Sequence, residues 1–168
     1  FTKSGVLTAE RRGDWIELNF PATIEEAAPP PPGLTKALGV TPGYVGKSKF
    51  DYLVEVASEA IVRGLRPDFA ALRTLPVRGV MVTSLATSAG CDFVSRFFAP
   101  GSGIDEDPVT GSAHCCLTPY WSRKLGGRTE FVARQVSARG GVLRLKLDGD
   151  RVRLSGQAVT VLRGELFV

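Results

Sequence analysis

The densest run of residues able to do chemistry is Asp105-Glu106-Asp107-Pro108-Val109-Thr110-Gly111-Ser112-Ala113-His114. It joins carboxylates, which can give or take a proton, to a Thr-Gly-Ser-Ala segment at the expected start of a helix. The first N–H groups of a helix have no partner within it, and the aligned peptide dipoles make that end partly positive. Such an end holds a carboxylate or phosphate. Gly111 lets the backbone approach the anion closely, and the Ser112 hydroxyl adds a donor. The segment thus supplies an anion cradle and a proton-transfer group side by side. Acidic residues and a serine ahead of a helix also serve as ordinary caps, and the spacing alone leaves both readings open.

Other constellations offer less. Ser112 and His114, the only histidine, would need Asp92 or Asp107 to make a hydrolase triad. Residues two apart on a helix point to different sides, so a packed or partner-bonded histidine is expected instead. His114, Cys115 and Cys116 fan apart on a helix and make a poor metal site. A magnesium site on Asp105, Glu106 and Asp107 rests on little more than their charge, and no metal is expected. The two adjacent cysteines read as small buried apolar residues. The second candidate is Ser137-Ala138-Arg139-Gly140-Gly141. Arg139 can reach a carboxylate, and paired glycines signal a special backbone, a close approach or a bulge at a strand entry.

These residues need elements to hold them. Ser112 to Leu125 reads as a helix closed by Gly126, its first turns apolar on nearly every side, so it must be buried. Pro119 within it removes one hydrogen bond. Strands are expected over Val6–Glu10 and Trp15–Phe20, a hairpin around Arg12-Gly13-Asp14, where Ile16, Leu18 and Phe20 alternate with Glu17 and Asn19. Further strands are expected over Asp51–Val56, Gly79–Ser84 and Asp92–Phe98. The region Phe131–Val168 is strand-rich, turning at Asp148-Gly149. Phe1 to Gly5 also reads like the middle of a strand. Short helices are expected near Leu34–Leu38, ended by Gly39, and from Arg66-Pro67-Asp68 through Leu72, with Pro67 near the first turn. Pro29 to Pro32 form a stiff extended stretch and mark the expected boundary. The division is residues 1–21 as a hairpin, 22–43 as linker and short helix, and 44–168 as the main body. The fold class is α+β: a curled, mostly antiparallel sheet around one central buried helix.

Composition narrows the classes. At 168 residues, 43% hydrophobic and 23% charged, the chain can bury roughly 70% of the surface its unfolded form exposes. The formal charge of +4 is spread along the chain rather than gathered on one face, which argues against nucleic acid and suits a cleft that attracts a small carboxylate. Three cysteines, an odd number with two adjacent, make a poor disulfide framework, so a cytoplasmic setting is expected. No apolar run approaches the ~20 residues of a membrane span, and no signal peptide opens the chain.

The motifs also resemble a known family. Asp92 to Pro100, then Gly103-Ile104, then Glu106 through His114 resemble the signature of the PhzF-like phenazine-biosynthesis proteins. Pro119-Tyr120-Trp121, Gln135 to Gly141 and the opening Ser4-Gly5-Val6-Leu7 agree in order along the chain. The resemblance implies a diaminopimelate-epimerase-like fold of two similar lobes, each a curled sheet around a central helix, with the site between them. Residues 1–21 would be the tail of the first lobe, and the helix over 112–125 the centre of the second. It implies that Asp107 is the active-site aspartate, that Ser112 contacts the substrate, and that the helix start at Gly111-Ser112-Ala113 holds the substrate carboxylate without metal or organic cofactor. Thr110, Arg139 and Gly140 complete the expected binding set.

Family members similar to this chain shift a proton within a dihydro-hydroxyanthranilate ring, and many others have no assigned substrate. Their principal acid/base glutamate and one active-site histidine belong to an upstream lobe and match no residue here; His114 is not that histidine. The expected function is a cofactor-independent isomerase or epimerase moving a proton within a small carboxylate substrate. Its expected partners are that substrate, a missing N-terminal lobe and a second copy in a homodimer. The alternative is a non-catalytic small-acid binding or interaction domain on the same fold.

Overall fold

In the computed structural model, which describes residues 5–166, the helix expected over 112–125 forms as α4 (Gly111–Lys124). Its residues Ala113 to Ser122 are all buried, as a helix apolar on most sides requires. Pro119 leaves the Cys115 carbonyl without its helical donor. The backbone N–H of Thr23, arriving from the first hairpin, takes that place at 3.0 Å. The helix defect thus becomes an anchor for the incoming chain.

Around α4 lies one sheet of eleven strands among the described residues: β1 (Thr8–Arg12), β2 (Trp15–Pro21), β3 (Glu26–Ala27), β4 (Tyr44–Lys47), β5 (Asp51–Glu55), β6 (Gly79–Leu85), β7 (Phe93–Ala99), β8 (Ile104–Asp107), β9 (Glu130–Gln135), β10 (Gly141–Asp148) and β11 (Arg151–Gly156). Their order is β1-β2-β11-β10-β9-β7-β6-β5-β4-β3, with β8 also on β7. Only β5–β6 and β7–β9 pair in parallel. The α+β class and the mostly antiparallel sheet around a buried helix are as expected.

The sheet has two characters. Along β6 and β7, alternate residues serve opposite cores: Met81, Phe93 and Phe97 face α4 with Trp121 and Leu117, while Val80, Val82, Val94 and Phe98 face the small helices. Those helices are α1 (Leu34–Leu38), α2 (Glu59–Gly64) and α3 (Phe69–Arg73). A strand covered on both faces needs apolar residues throughout, which is why β6 and β7 read as near-continuous apolar runs. On β10 only Leu143 and Leu145 are buried, and Arg144 and Lys146 face out. Each large side chain taken fully out of water contributes about 1.5–3 kcal/mol, so both cores, the Trp121–Phe93–Leu117 layer included, contribute to stability.

Several expectations shift. The first strand begins at Thr8 rather than Val6. Pro67 stands just ahead of the α3 cap, because Asp68 supplies it, accepting from the Ala71 N–H at 3.0 Å. Helix α2 was not foreseen. The strand-rich C-terminal region ends at Gly156: residues 157–166 form no strand, and Val159, Val161 and Leu162 are exposed, since no neighbouring strand among the described residues takes up their backbone groups. Strand character expected for residues 1–4, and for Phe167 and Val168, falls outside the described residues.

Candidate functional site

Strand β7 divides one of its edges between two partners. Phe93 to Ser95 pair with β9, and Phe97 to Ala99 pair with β8. The ends of β8 and β9, Asp107 and Gln135, therefore meet, and the chain from Asp107 must turn directly into α4. Gln135, fully buried, fastens this corner. Its Oε1 accepts the Thr110 N–H at 2.8 Å, and its Nε2 donates to the Asp107 carbonyl at 2.6 Å and to Thr110 Oγ1 at 3.2 Å. Thr110 in turn donates its hydroxyl proton to Asp107 Oδ2. A polar residue at an inward position of β9, two beyond Ala133 and four beyond Phe131, is the sequence signal for this staple.

Thr110 is the N-cap of α4 but makes no side-chain cap, because its hydroxyl is committed to Asp107. The first helical bond runs from His114 N to Thr110 O at 3.3 Å. The N–H groups of Gly111, Ser112 and Ala113 make no hydrogen bond among the described residues. Bare donors and the positive end of the dipole coincide there.

Beside this helix start is a cleft of about 660 Å³, lined by Gly111, Val109, Arg139, Gly140 and Gly141, with Leu18, Leu143 and Leu154 among its apolar walls. The paired glycines have separate reasons. Gly140 sits at φ +67, and a Cβ on Gly141 would lie 2.5 Å from Val109 Cγ2. The β9–β10 turn can therefore press against the Asp107–Thr110 corner only without a side chain at 141. Arg139 is exposed and makes no ion pair among the described residues.

The acidic run sorts itself by partner. Asp105 pairs with Arg73 at 3.2 Å. Glu106 takes a two-pronged contact from the largely buried Arg96, at 2.7 and 2.8 Å. Asp107 has no cation partner among the described residues, so it is the member left for other work. Among those residues no group of three His, Cys, Asp or Glu is placed to hold a metal ion.

Of the expected site residues, the cleft collects Gly111, Arg139 and Gly140. Asp107 and Thr110 stand behind the helix start, joined to each other. Ala113 offers only its backbone, its side chain being buried. Ser112 is exposed and does not line the cleft; its Oγ accepts from Arg78 Nη2 at 3.0 Å. Sequence reasoning did not single out Arg78, its buried partner Asp51 or the role of Gln135. His114 points away from Ser112, fully buried, with Nδ1 2.8 Å from the Thr110 carbonyl. Burial lowers its pKa to about 4, against the Thr110 hydrogen bond that raises it. It is neutral at pH 7, and no triad with Ser112 forms. Burial pushes the Cys115 and Cys116 thiols up to about 12, so both are inert packing groups.

Known proteins are similar to this chain along nearly all of its length. An "uncharacterized isomerase" of Halalkalibacterium halodurans is 53% identical over all of the chain, and one of Pseudomonas aeruginosa is 47% identical over 98% of it. The chain spans 63% and 62% of these two proteins. Among solved structures, a phenazine biosynthesis protein of the PhzF family from Enterococcus faecalis matches 99% of the chain with a TM-score of 0.88 at 36% identity, and 63% of that protein is covered. A putative PhzC/PhzF protein from Clostridium difficile matches 96% with a TM-score of 0.83 at 37% identity, with 61% of it covered. The pattern of the phenazine biosynthesis-like proteins itself matches residues 33–164. On these matches the chain belongs to the PhzC-PhzF family of phenazine biosynthesis-like proteins.

Proposed function

We propose that the chain forms the larger part of a cofactor-independent isomerase or epimerase that moves a proton within a small carboxylate substrate, of the dihydro-hydroxyanthranilate type. The observation that carries this reading is the open start of α4: three unpartnered N–H groups and the unpaired Arg139 beside a cleft with apolar walls. An anion is stabilised there by fixed donors that need no reorganisation. The substrate carboxylate sits on the Gly111, Ser112 and Ala113 N–H groups, with the Ser112 hydroxyl as a further donor. Arg139 and the Gly140 backbone close the far side, and the apolar walls take the ring.

Asp107 serves as the acid/base group. Thr110 holds one carboxylate oxygen, and Oδ1 makes no hydrogen bond among the described residues, so it is left for proton transfer. A partner acid/base group comes from an upstream lobe, of which residues 1–21 are the tail, with 22–43 the linker and 44–168 the second lobe. The chain spans 63% of two of the proteins it matches, which leaves room for such a lobe. The protein acts in the cytoplasm as a homodimer. The second reading, small-acid binding without turnover, is favoured by a single observation: only one carboxylate of the described site lacks a cation.

The test is solvent deuterium. The protein carrying its upstream lobe, in D2O, should place deuterium at a ring carbon of a dihydro-hydroxyanthranilate substrate. Asp107→Asn should lower that rate by about 10²–10⁴, the usual worth of a positioned acid or base, while leaving the folded spectrum unchanged. Undiminished exchange in the variant removes Asp107 from its role, and binding without exchange in the parent favours the second reading.

A further inference from the structure

The flank of α4 opposite in sequence to the Arg139 turn is held by Arg78, which immediately precedes β6. Its guanidinium grips Asp51, a residue only 2% exposed, in a two-pronged contact: Nε donates to Oδ1 at 2.9 Å and Nη2 to Oδ2. Such forked pairs fix orientation as well as charge. Ser48 Oγ accepts the Asp51 N–H at 3.0 Å, and the guanidinium lies 5.1 Å from the Phe50 ring and 5.8 Å from the Phe97 ring. Arg78 is therefore clamped from three sides. The same Nη2 then donates to Ser112 Oγ at 3.0 Å.

A serine hydroxyl has one proton and two lone pairs. Accepting from a cation occupies one lone pair and turns the O–H away from the positive charge. We infer that Arg78 is a positioning residue for the helix-start site: it orients the Ser112 hydroxyl so that its proton is left to donate to a bound carboxylate. The inference rests on the reading of that helix start as an anion site. Because Asp51 neutralises Arg78, its contribution is geometric and acts through Ser112. Arg139, unpaired, contributes charge instead. This division explains why a buried carboxylate stands next to a site meant for anions.

The test titrates the full chain with benzoate, a plain ring carboxylate, following the amide resonances of Gly111, Ser112 and Ala113. Ser112→Ala and Arg78→Met should each weaken benzoate by about tenfold, the worth of one good hydrogen bond to an anion. In the Ser112→Ala background, removing the pair as a whole by Arg78→Met with Asp51→Asn, so that no unpaired Asp51 charge is left beside the site, should change affinity by less than about twofold, because the route through Ser112 is already removed. Arg78→Lys should not restore binding, since an ammonium lacks the fork needed to hold Asp51 and Ser112 together. Raising the salt concentration should weaken benzoate equally in the parent and in Arg78→Met with Asp51→Asn, since both leave the pair without net charge.

Losses that multiply when the whole pair is removed on top of Ser112→Ala, or unchanged binding in Arg78→Met, overturn the role of Arg78. If Arg78→Met does not fold, Arg78→Met with Asp51→Asn removes the orphaned buried charge and answers the same question. Unchanged benzoate affinity in Ser112→Ala removes the Ser112 donor and with it the role of Arg78, whereas no benzoate effect at all on these amides sinks the anion-site reading itself.

Discussion

The two ends of α4 are built on opposite terms. At the C-terminal end the polar groups are used up on one another. Gly127 N–H satisfies the Ser122 carbonyl at 2.8 Å, and Leu125 N–H the Trp121 carbonyl at 2.9 Å. Tyr120 donates to Glu55 at 2.6 Å, Lys124 pairs with the same carboxylate at 3.1 Å, and Arg123 and Tyr44 converge on Glu25. Among the buried side-chain atoms of the described residues at this end, Glu25 Oε2 alone lacks a partner. At the N-terminal end, three N–H groups are left without partners among the described residues beside a cleft, and Asp107 behind them has no cation partner, although Gln135 shows that the chain can satisfy buried groups nearby. Stability accounts for the first arrangement. The second keeps donors bare at some cost, and a ligand is what would repay it.

The sharpest way to break the contrast is to remove the staple. Gln135→Leu keeps the volume of the side chain but leaves the buried Thr110 N–H and Asp107 carbonyl without partners. Unsatisfied buried groups cost about 1–3 kcal/mol each, so a loss of roughly 3–4 kcal/mol in denaturant unfolding is expected. Benzoate binding should fall with it, because the corner that aims the helix start is freed. A stable variant that still binds benzoate would show that the corner is held by packing alone.

A pH titration separates the ends next. His114, behind the anion site, has a folded pKa of about 4 against an ordinary value of 6.5. The unfolded chain therefore takes up this proton before the folded one does, and stability falls as pH drops. The contribution is whole above 6.5 and lost progressively down to about 4, worth roughly 3 kcal/mol at 1.36 kcal/mol per pKa unit. His114→Gln should flatten the slope between pH 6.5 and 5. Glu59, whose burial is outweighed by hydrogen bonds from Ser88, Thr87 and Arg63 that hold its pKa far below normal, acts only below the ordinary carboxylate range. A slope that survives in His114→Gln would mean that another group carries it.

How much of this was legible in the chain itself follows from what each feature depends on. The buried helix was readable because apolar residues on every side from Ala113 to Trp121 admit only one environment. The hairpin and the β10–β11 turn were readable from period-two alternation and from the Gly13 and Gly149 positions at φ +63 and +59. Asp107 was named, but its separation from Asp105 and Glu106 depends on Arg73 and Arg96, which arrive from other elements. Arg78 and Gln135 could not be found locally: each gains its meaning from a contact more than 20 residues away. Residues 157–166 misled because alternation predicts a strand only where a neighbouring strand completes it.

The smallest effect tests the far end of the helix. Tyr120→Phe removes the hydroxyl that donates to Glu55 and nothing else, since the ring stays packed against Trp121 and Tyr44, with centroids 5.3 Å away in both cases. Glu55 keeps Lys124, so no buried charge is orphaned, and the expected loss is about 1 kcal/mol, the net worth of one hydrogen bond. Benzoate affinity and deuterium exchange should not move, because groups at this end are spent on structure. A variant that folds as well as the parent but loses exchange would reverse the assignment of roles. The C-terminal end would then take part in the chemistry, and the bare donors at Gly111 to Ala113 would need another explanation.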